Sequence, residues 1–359
     1  MVNKHINQLD VFRGLAALSV CAVHFTYDSI FYKYFAQGLF VQLFFTLSGF
    51  VIAYNYYHNL NDYESFLRFI IKRFKRLYPL HLFFLLTFLL AEFIKYFLTL
   101  KFELLPNIQP FEVNNIKNFF LNLFFIQHFD NQNSFNGPSW SISVEIMLYI
   151  SFGLTLLLIK KSFLIYLNLI YLIFFITFLN SNYGDTKSIT AFYSGIYSFS
   201  IGYLFFLLYE KKNISDYLNS KIYFDIIFYI LFIVFLFEIF LFHTIEQDFL
   251  YSLVFGLMIY YSCFLKKNFF LFKIVFNDFF IFLGKISYSI YMSHLLVFFI
   301  FDNILEYVFK FQTKINAQGN TVLDLSKLEA NFYTLIIYAL VILVSSLTYK
   351  NIELKYYKK

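Results

Sequence analysis

The chain has 359 residues, 60% hydrophobic and 14% charged, with only four prolines. That composition excludes a disordered chain and an ordinary soluble globular protein, and it points to a polytopic membrane protein. The net charge of +6 reads as an orientation signal and gives no reason to expect a nucleic-acid partner.

Apolar stretches of about 20 residues, the length that crosses a bilayer as a helix, predict ten spans. They are 9–29, 36–57, 79–99, 139–159, 162–180, 189–209, 222–242, 249–265, 280–301 and 332–350. With the N-terminus inside, Lys and Arg number eighteen on the cytoplasmic side against seven outside, and five of the eighteen lie between Arg68 and Arg76. That bias predicts both termini cytoplasmic. The expected fold class is therefore all-α, a polytopic membrane protein with about ten transmembrane helices, formed as one integral membrane domain over 1–359 without an appended soluble domain. Arg13 interrupts the first apolar run, which argues against a cleaved signal peptide. Cys21 and Cys263 both fall in predicted spans and read as small apolar packing residues. The 56 Phe and 31 Tyr are scattered through every span, so they are read as lipid-facing, core and interfacial residues. Two outer segments, 100–138 and 302–331, exceed minimal loops. Within the first, Phe119 to Phe129 is apolar but too short to span, which suits a re-entrant or surface helix.

Ionisable groups inside spans are costly and are functional candidates by default. Arg13 and His24 share the first span, on one helical face and about 16 Å apart along the axis. His24, His294 and Glu145 come out at similar depths, about 21 to 22 Å from the inner surface, which permits a histidine and a carboxylate to meet. Such a pair suits proton transfer near neutral pH; a buried polar contact that ties helices together is the alternative. The run Arg68, Lys72, Arg73, Lys75 and Arg76 can form an anion site or anchor to anionic lipid headgroups. Gly49, beside Ser48, is a close-approach point for helix packing. Glu92 and Lys95, three apart on one helix, read as a structural pair. Glu353 places a carboxylate near the C-terminus, where a helix-end or basic-loop contact and a catalytic role both stay open. The spacing of His and Cys offers no metal site.

Five segments carry a family resemblance: Leu9-Asp10-Val11-Phe12-Arg13-Gly14-Leu15-Ala16-Ala17 followed by His24; Phe44-Phe45-Thr46-Leu47-Ser48-Gly49-Phe50; Lys72-Arg73-Phe74-Lys75-Arg76-Leu77-Tyr78-Pro79; Pro138-Ser139-Trp140-Ser141-Ile142-Ser143-Val144-Glu145; and Leu283-Gly284-Lys285-Ile286-Ser287-Tyr288-Ser289-Ile290-Tyr291-Met292-Ser293-His294. In this order the chain resembles the acyltransferase-3 family of integral membrane acyltransferases. Lys72 departs from the Arg common there, keeping the charge but losing the bidentate fork. Glu353-Leu354-Lys355 stands in place of a Glu-x-Pro.

The resemblance implies transfer of an acyl group, most often acetyl from acetyl-CoA, to a hydroxyl of a carbohydrate or lipid-linked glycan, in the cytoplasmic (inner) membrane of a bacterium. It implies His24 and Glu145 as catalytic residues. Arg13, Arg73, Arg76 and Ser48 would serve the CoA donor, and Trp140, Ser143, Ser287, Tyr291 and His294 would shape the pocket and stabilise the oxyanion. Expected partners are acyl-CoA, the glycan acceptor and membrane lipids. Some relatives carry a soluble extracytoplasmic domain; here such a partner would be a separate protein or unnecessary. A transporter or flippase of lipid-linked sugars is the alternative function; a non-catalytic scaffold would leave the deep His and Glu unexplained.

Overall fold

The computed structural model describes residues 5–25, 27–35, 39–103, 106, 108–129, 134–159, 167–169, 171–172, 187–211, 223–241, 248–265, 270–315 and 321–357. They form an all-α integral membrane protein. Five helical stretches are long and apolar enough to cross a bilayer: Tyr63–Phe102, Gly137–Leu158, Phe192–Glu210, Ser287–Val308 and Lys327–Tyr356. Three more, Phe40–Tyr56, Phe224–Val234 and Leu250–Ser262, are apolar but shorter. The expected span 162–180 lies largely outside the described residues.

The chain separates into two compact units, residues 1–16, 38–73 and 145–285, and residues 17–37, 74–144 and 286–359. Helices α1 (Asn7–His24), α4 (Tyr63–Phe102) and α6 (Trp140–Leu158) each begin in one unit and end in the other. Two of these bounds differ from expectation. The first helix stops at His24. The α4 helix starts at Tyr63, ahead of Pro79, because Asp62 caps it: its Oδ1 accepts from the Ser65 amide at 2.7 Å, a bond that holds the Asp62 carboxyl below its ordinary pKa. Buried Phe66, Phe69, Arg73, Leu77, Leu80 and Phe84 then keep helical spacing through the basic run. Pro79 sits inside the helix, removing one amide bond without ending it.

The first unit contains α3 (Phe40–Tyr56), α7 (Lys187–Glu210), α8 (Tyr223–Leu241), α9 (Asp248–Ser262), α10 (Phe270–Val275) and α11 (Asp278–Lys285). Its tightest contact joins α3 to α7. A Cβ on Gly49 would lie 2.0 Å from the Phe199 carbonyl oxygen, and one on Gly202 would lie 1.9 Å from that of Thr46. Only hydrogen fits at either position, so the two backbones touch. Beside this contact Ser198 Oγ lies 2.8 Å from Ser252 Oγ, which donates to Gln42 Oε1 at 3.2 Å, tying α9 to both helices.

The second unit contains α2 (Ile30–Phe35), α5 (Ile116–Leu123), α12 (Ser287–Asn303), α13 (Lys327–Thr348) and α14 (Leu354–Tyr357). The expected span 280–301 is broken at Ile286, between α11 and α12. Helices α12 and α13 are linked by Ser293 and Ser345, whose Oγ atoms lie 2.9 Å apart. Within segment 302–331, β1 (Thr313–Ile315) and β2 (Thr321–Leu323) pair antiparallel with Lys314 opposite Val322, a small hairpin that the apolar pattern did not announce. Helix α5 is inverted relative to a soluble amphipathic helix. Ile116 and Phe120 are exposed while Asn118 and Asn122 are buried, as suits a helix with lipid on its outer side. It is docked on α4 through His81 Nε2, which donates to the Asn122 carbonyl at 2.9 Å. Glu92 fastens the preceding turn to α4 by accepting from Lys95 at 2.8 Å, the Phe111 amide at 3.0 Å and Asn114 Nδ2 at 2.9 Å.

The glycine contact is open to test by substitution. Gly202→Ala should lower the stability of the detergent-solubilised protein by about 1–3 kcal/mol through overpacking. Gly137→Ala, whose added Cβ would meet Leu295 at an ordinary 3.5 Å, should leave the thermal midpoint unchanged.

Candidate functional site

In the first unit, α1 brings Asp10, Arg13 and Gly14 against α11. A Cβ on Gly14 would lie 2.8 Å from the Gly284 amide nitrogen, and one on Gly284 would lie 2.0 Å from the Asp10 carbonyl oxygen. This backbone contact joins two of the five motif segments. The Asp10 carboxylate is buried; it takes His5 Nε2 at 2.6 Å and lies 3.6 Å from Arg13 Nη1. Arg13 is therefore half-buried beside a counter-charge.

The same unit assembles a second group from α3, α4 and α6. Ser48 donates to Glu145 Oε1 and contacts the Tyr149 hydroxyl, each at 3.2 Å, and Tyr149 also donates to Glu145 Oε1. Arg73, only 8% exposed, donates from Nη2 to the Tyr56 hydroxyl at 2.7 Å and lies 4.9 Å from that ring's centroid. Its Nε is buried without a hydrogen-bond partner among the described residues. Tyr56 packs on Phe69 at 4.7 Å and Phe69 on Tyr149 at 6.1 Å. Of the rest of the basic run, Arg76 is half-buried, Lys72 and Lys75 are exposed, and Arg68 pairs with Glu64 at 2.5 Å.

In the second unit, His24 is the last residue of α1 and meets His294 of α12, with ring centroids 5.2 Å apart and planes inclined by 39°. His294 is fully buried, and its Nδ1 donates to the Ile290 carbonyl at 3.2 Å. The Tyr291 ring lies 6.1 Å from His294. Its hydroxyl donates to the Pro138 carbonyl at 2.8 Å and lies 2.7 Å from Ser141 Oγ. Asn136 Nδ2 donates to the Met292 carbonyl at 2.8 Å, so the turn before α6 is pinned to α12 from both sides. Trp140 is half-buried, 5.8 Å from His128. Ser143 donates to the Trp140 carbonyl at 2.7 Å, and Ser287 is buried in the first turn of α12. Ser289 donates to buried Glu353 Oε2 at 3.0 Å.

The expected residues thus assemble as two groups, Ser48 with Glu145 in one unit and His24 with His294 and Tyr291 in the other. Tyr149, Tyr56 and Ser141 join them without having been anticipated, and Glu353, whose contact the sequence left open, is bonded to Ser289. Tyr149 was within reach, being four residues from Glu145 and so on one helical face; Tyr56, seventeen residues from Arg73, carries no local signal. Among the described residues no three His, Cys, Asp or Glu side chains stand together as a metal site.

Residues 6–350 match the sequence model of a family described as an acyltransferase domain. Acyltransferase MdmB of Streptomyces mycarofaciens is 31% identical over 159 residues, 42% of this chain and 38% of that protein. The chain therefore matches well under half the length of that curated relative. No solved structure matches the chain.

Tyr149→Phe keeps the ring against Phe69 and removes the hydroxyl between Ser48 and Glu145. It should destabilise the protein by about 1–3 kcal/mol, because a half-buried carboxylate oxygen loses one of its two donors; chemical denaturation in detergent reads the loss.

Proposed function

This chain belongs to the acyltransferase-3 family, and we propose that it is a transferase of acyl groups that moves an acetyl group from acetyl-CoA to a hydroxyl of a cell-surface or lipid-linked carbohydrate. The observation that carries the reading is the pair of imidazoles, His24 and His294, at 5.2 Å. A hydroxyl that attacks a thioester must lose its proton as the new C–O bond forms. Imidazole is the side chain whose ordinary pKa suits that task near pH 7.

His24 takes the proton and returns it to the departing CoA thiolate. Its place at the last residue of α1 is the favourable helix end for the positive charge it carries in between. Glu145, oriented by Ser48 and Tyr149, assists proton removal. Arg13, Arg73 and Arg76 bind the phosphates of the donor, with exposed Lys72 and Lys75 gathering it from solution. Trp140, Ser143, Ser287 and Tyr291 shape the acceptor pocket. In this reading ten helices cross the inner membrane of a bacterium with both termini cytoplasmic, which turns the basic run of α4 toward the soluble CoA pool.

In membrane vesicles supplied with labelled acetyl-CoA, folded His24→Ala should transfer acetyl groups about 100- to 10,000-fold more slowly than wild type; near wild-type transfer would remove His24 as the base. The double variant Lys72→Ala, Lys75→Ala should raise KM for acetyl-CoA while leaving kcat within about twofold, as loss of uniform donor binding requires. Mass spectrometry of envelope glycans with and without the protein should reveal one acetyl group on one sugar, and unchanged glycans would exclude this acceptor class.

A further inference from the structure

We propose that His294 is the positioning partner of His24, accepting the N–H of that ring so that the other His24 nitrogen stays bare to take the hydroxyl proton. The proposal rests on the reading of His24 as the base. It starts from which atoms of His294 are already committed.

A backbone carbonyl can only accept, so the 3.2 Å bond from Nδ1 to the Ile290 carbonyl fixes the single proton of a neutral ring on Nδ1. Nε2 is then a lone-pair acceptor. It is buried and has no hydrogen-bond partner among the described residues. A buried acceptor left unpaired is costly and rare in native proteins, and the ring packed against this one is an imidazole, which can carry the missing donor. The nitrogens of an imidazole stand about 1.1 Å from its centre, so rings with centroids 5.2 Å apart bring nitrogens to about 3 Å once they face each other, a hydrogen-bond length. In this structure that bond is unmade, His294 Nε2 having no partner among the described residues. Rotation of the His24 side chain makes it, as catalytic hydrogen bonds commonly tighten only with substrate bound.

With its proton held by Ile290, His294 has no N–H to offer an oxyanion, so it acts through His24 alone. In the reaction the acceptor O–H bond breaks and its proton goes to the bare nitrogen of His24. The acceptor oxygen bonds the thioester carbonyl carbon, the C–S bond breaks, and the thiolate recovers the proton from His24. His294 exchanges no proton at any step.

His294→Phe keeps an aromatic ring and removes Nε2. In vesicles supplied with [14C]acetyl-CoA, it should lower kcat for transfer into vesicle material about 10- to 100-fold, the usual loss when an orienting partner is removed, with KM for acetyl-CoA unchanged. His294→Gln, which restores an acceptor, should recover part of that loss. In a His24→Ala background, His294→Phe should have no further effect. Wild-type kcat in His294→Phe, or a loss that multiplies on that of His24→Ala, overturns the assignment of His294 and leaves His24 as the base. Undiminished transfer by His24→Ala overturns the base itself and this partnership with it. A measurement on the wild-type protein is independent of variant folding. Ser293-His294 is the one Ser-His pair in the chain, so 13C-Ser with 13C,15N-His labelling selects its amide through the Ser293 carbonyl and relays from there to its ring by NMR. A neutral ring protonated at Nδ1 is expected, and protonation at Nε2 overturns the proposal.

Discussion

Two helices in a bilayer gain nothing by hiding apolar surface from lipid, so what holds them is close packing and polar bonds between them. In the first unit the packing reaches its limit at two places where backbone meets backbone, Gly49 with Gly202 and Gly14 with Gly284. In each case a candidate functional residue is the immediate neighbour of a contact glycine: Ser48 precedes Gly49, and Arg13 precedes Gly14. A side chain one peptide away from a fixed crossing has its starting point set by the backbone, which is the rigid support a reactive group needs. Ser48 meets Glu145 and Tyr149 because α3 can move neither toward α7 nor away without losing that contact.

The buried polar groups divide by whether their hydrogen bonds are complete. Ser198, Ser252 and Gln42 form a chain across three helices, a tie that makes a defined bundle of apolar cylinders. Arg73 and His294 are different. Each is anchored through one nitrogen, to Tyr56 and to Ile290, and each keeps a second buried nitrogen unpaired among the described residues.

Much of this was legible in the sequence because periodicity and motif order report local structure and ancestry. The Glu92–Lys95 pair followed from three-residue spacing, the close approach at Gly49 from a small residue in an apolar helix, and the family from five ordered segments. What was not legible depended on contacts distant in the chain or on competing local signals. Pro79 and the basic run before it suggest a helix start, yet the Asp62 cap and the buried stripe beginning at Phe66 carry α4 through both. The tie between Arg73 and Tyr56 crosses a turn, so no periodicity encodes it. A hairpin with register Thr313 to Leu323 is too short for alternation to reveal.

Helix α5 constrains the order in which the protein is assembled. Its exposed Ile116 and Phe120 are at home in lipid, whereas buried Asn118 and Asn122 are not, so neither water nor the bilayer alone accommodates both faces. The surface that receives the asparagine side includes His81 on α4, which does not exist until α4 is itself in the membrane. This short segment is therefore a late piece, fitted against a helix already inserted.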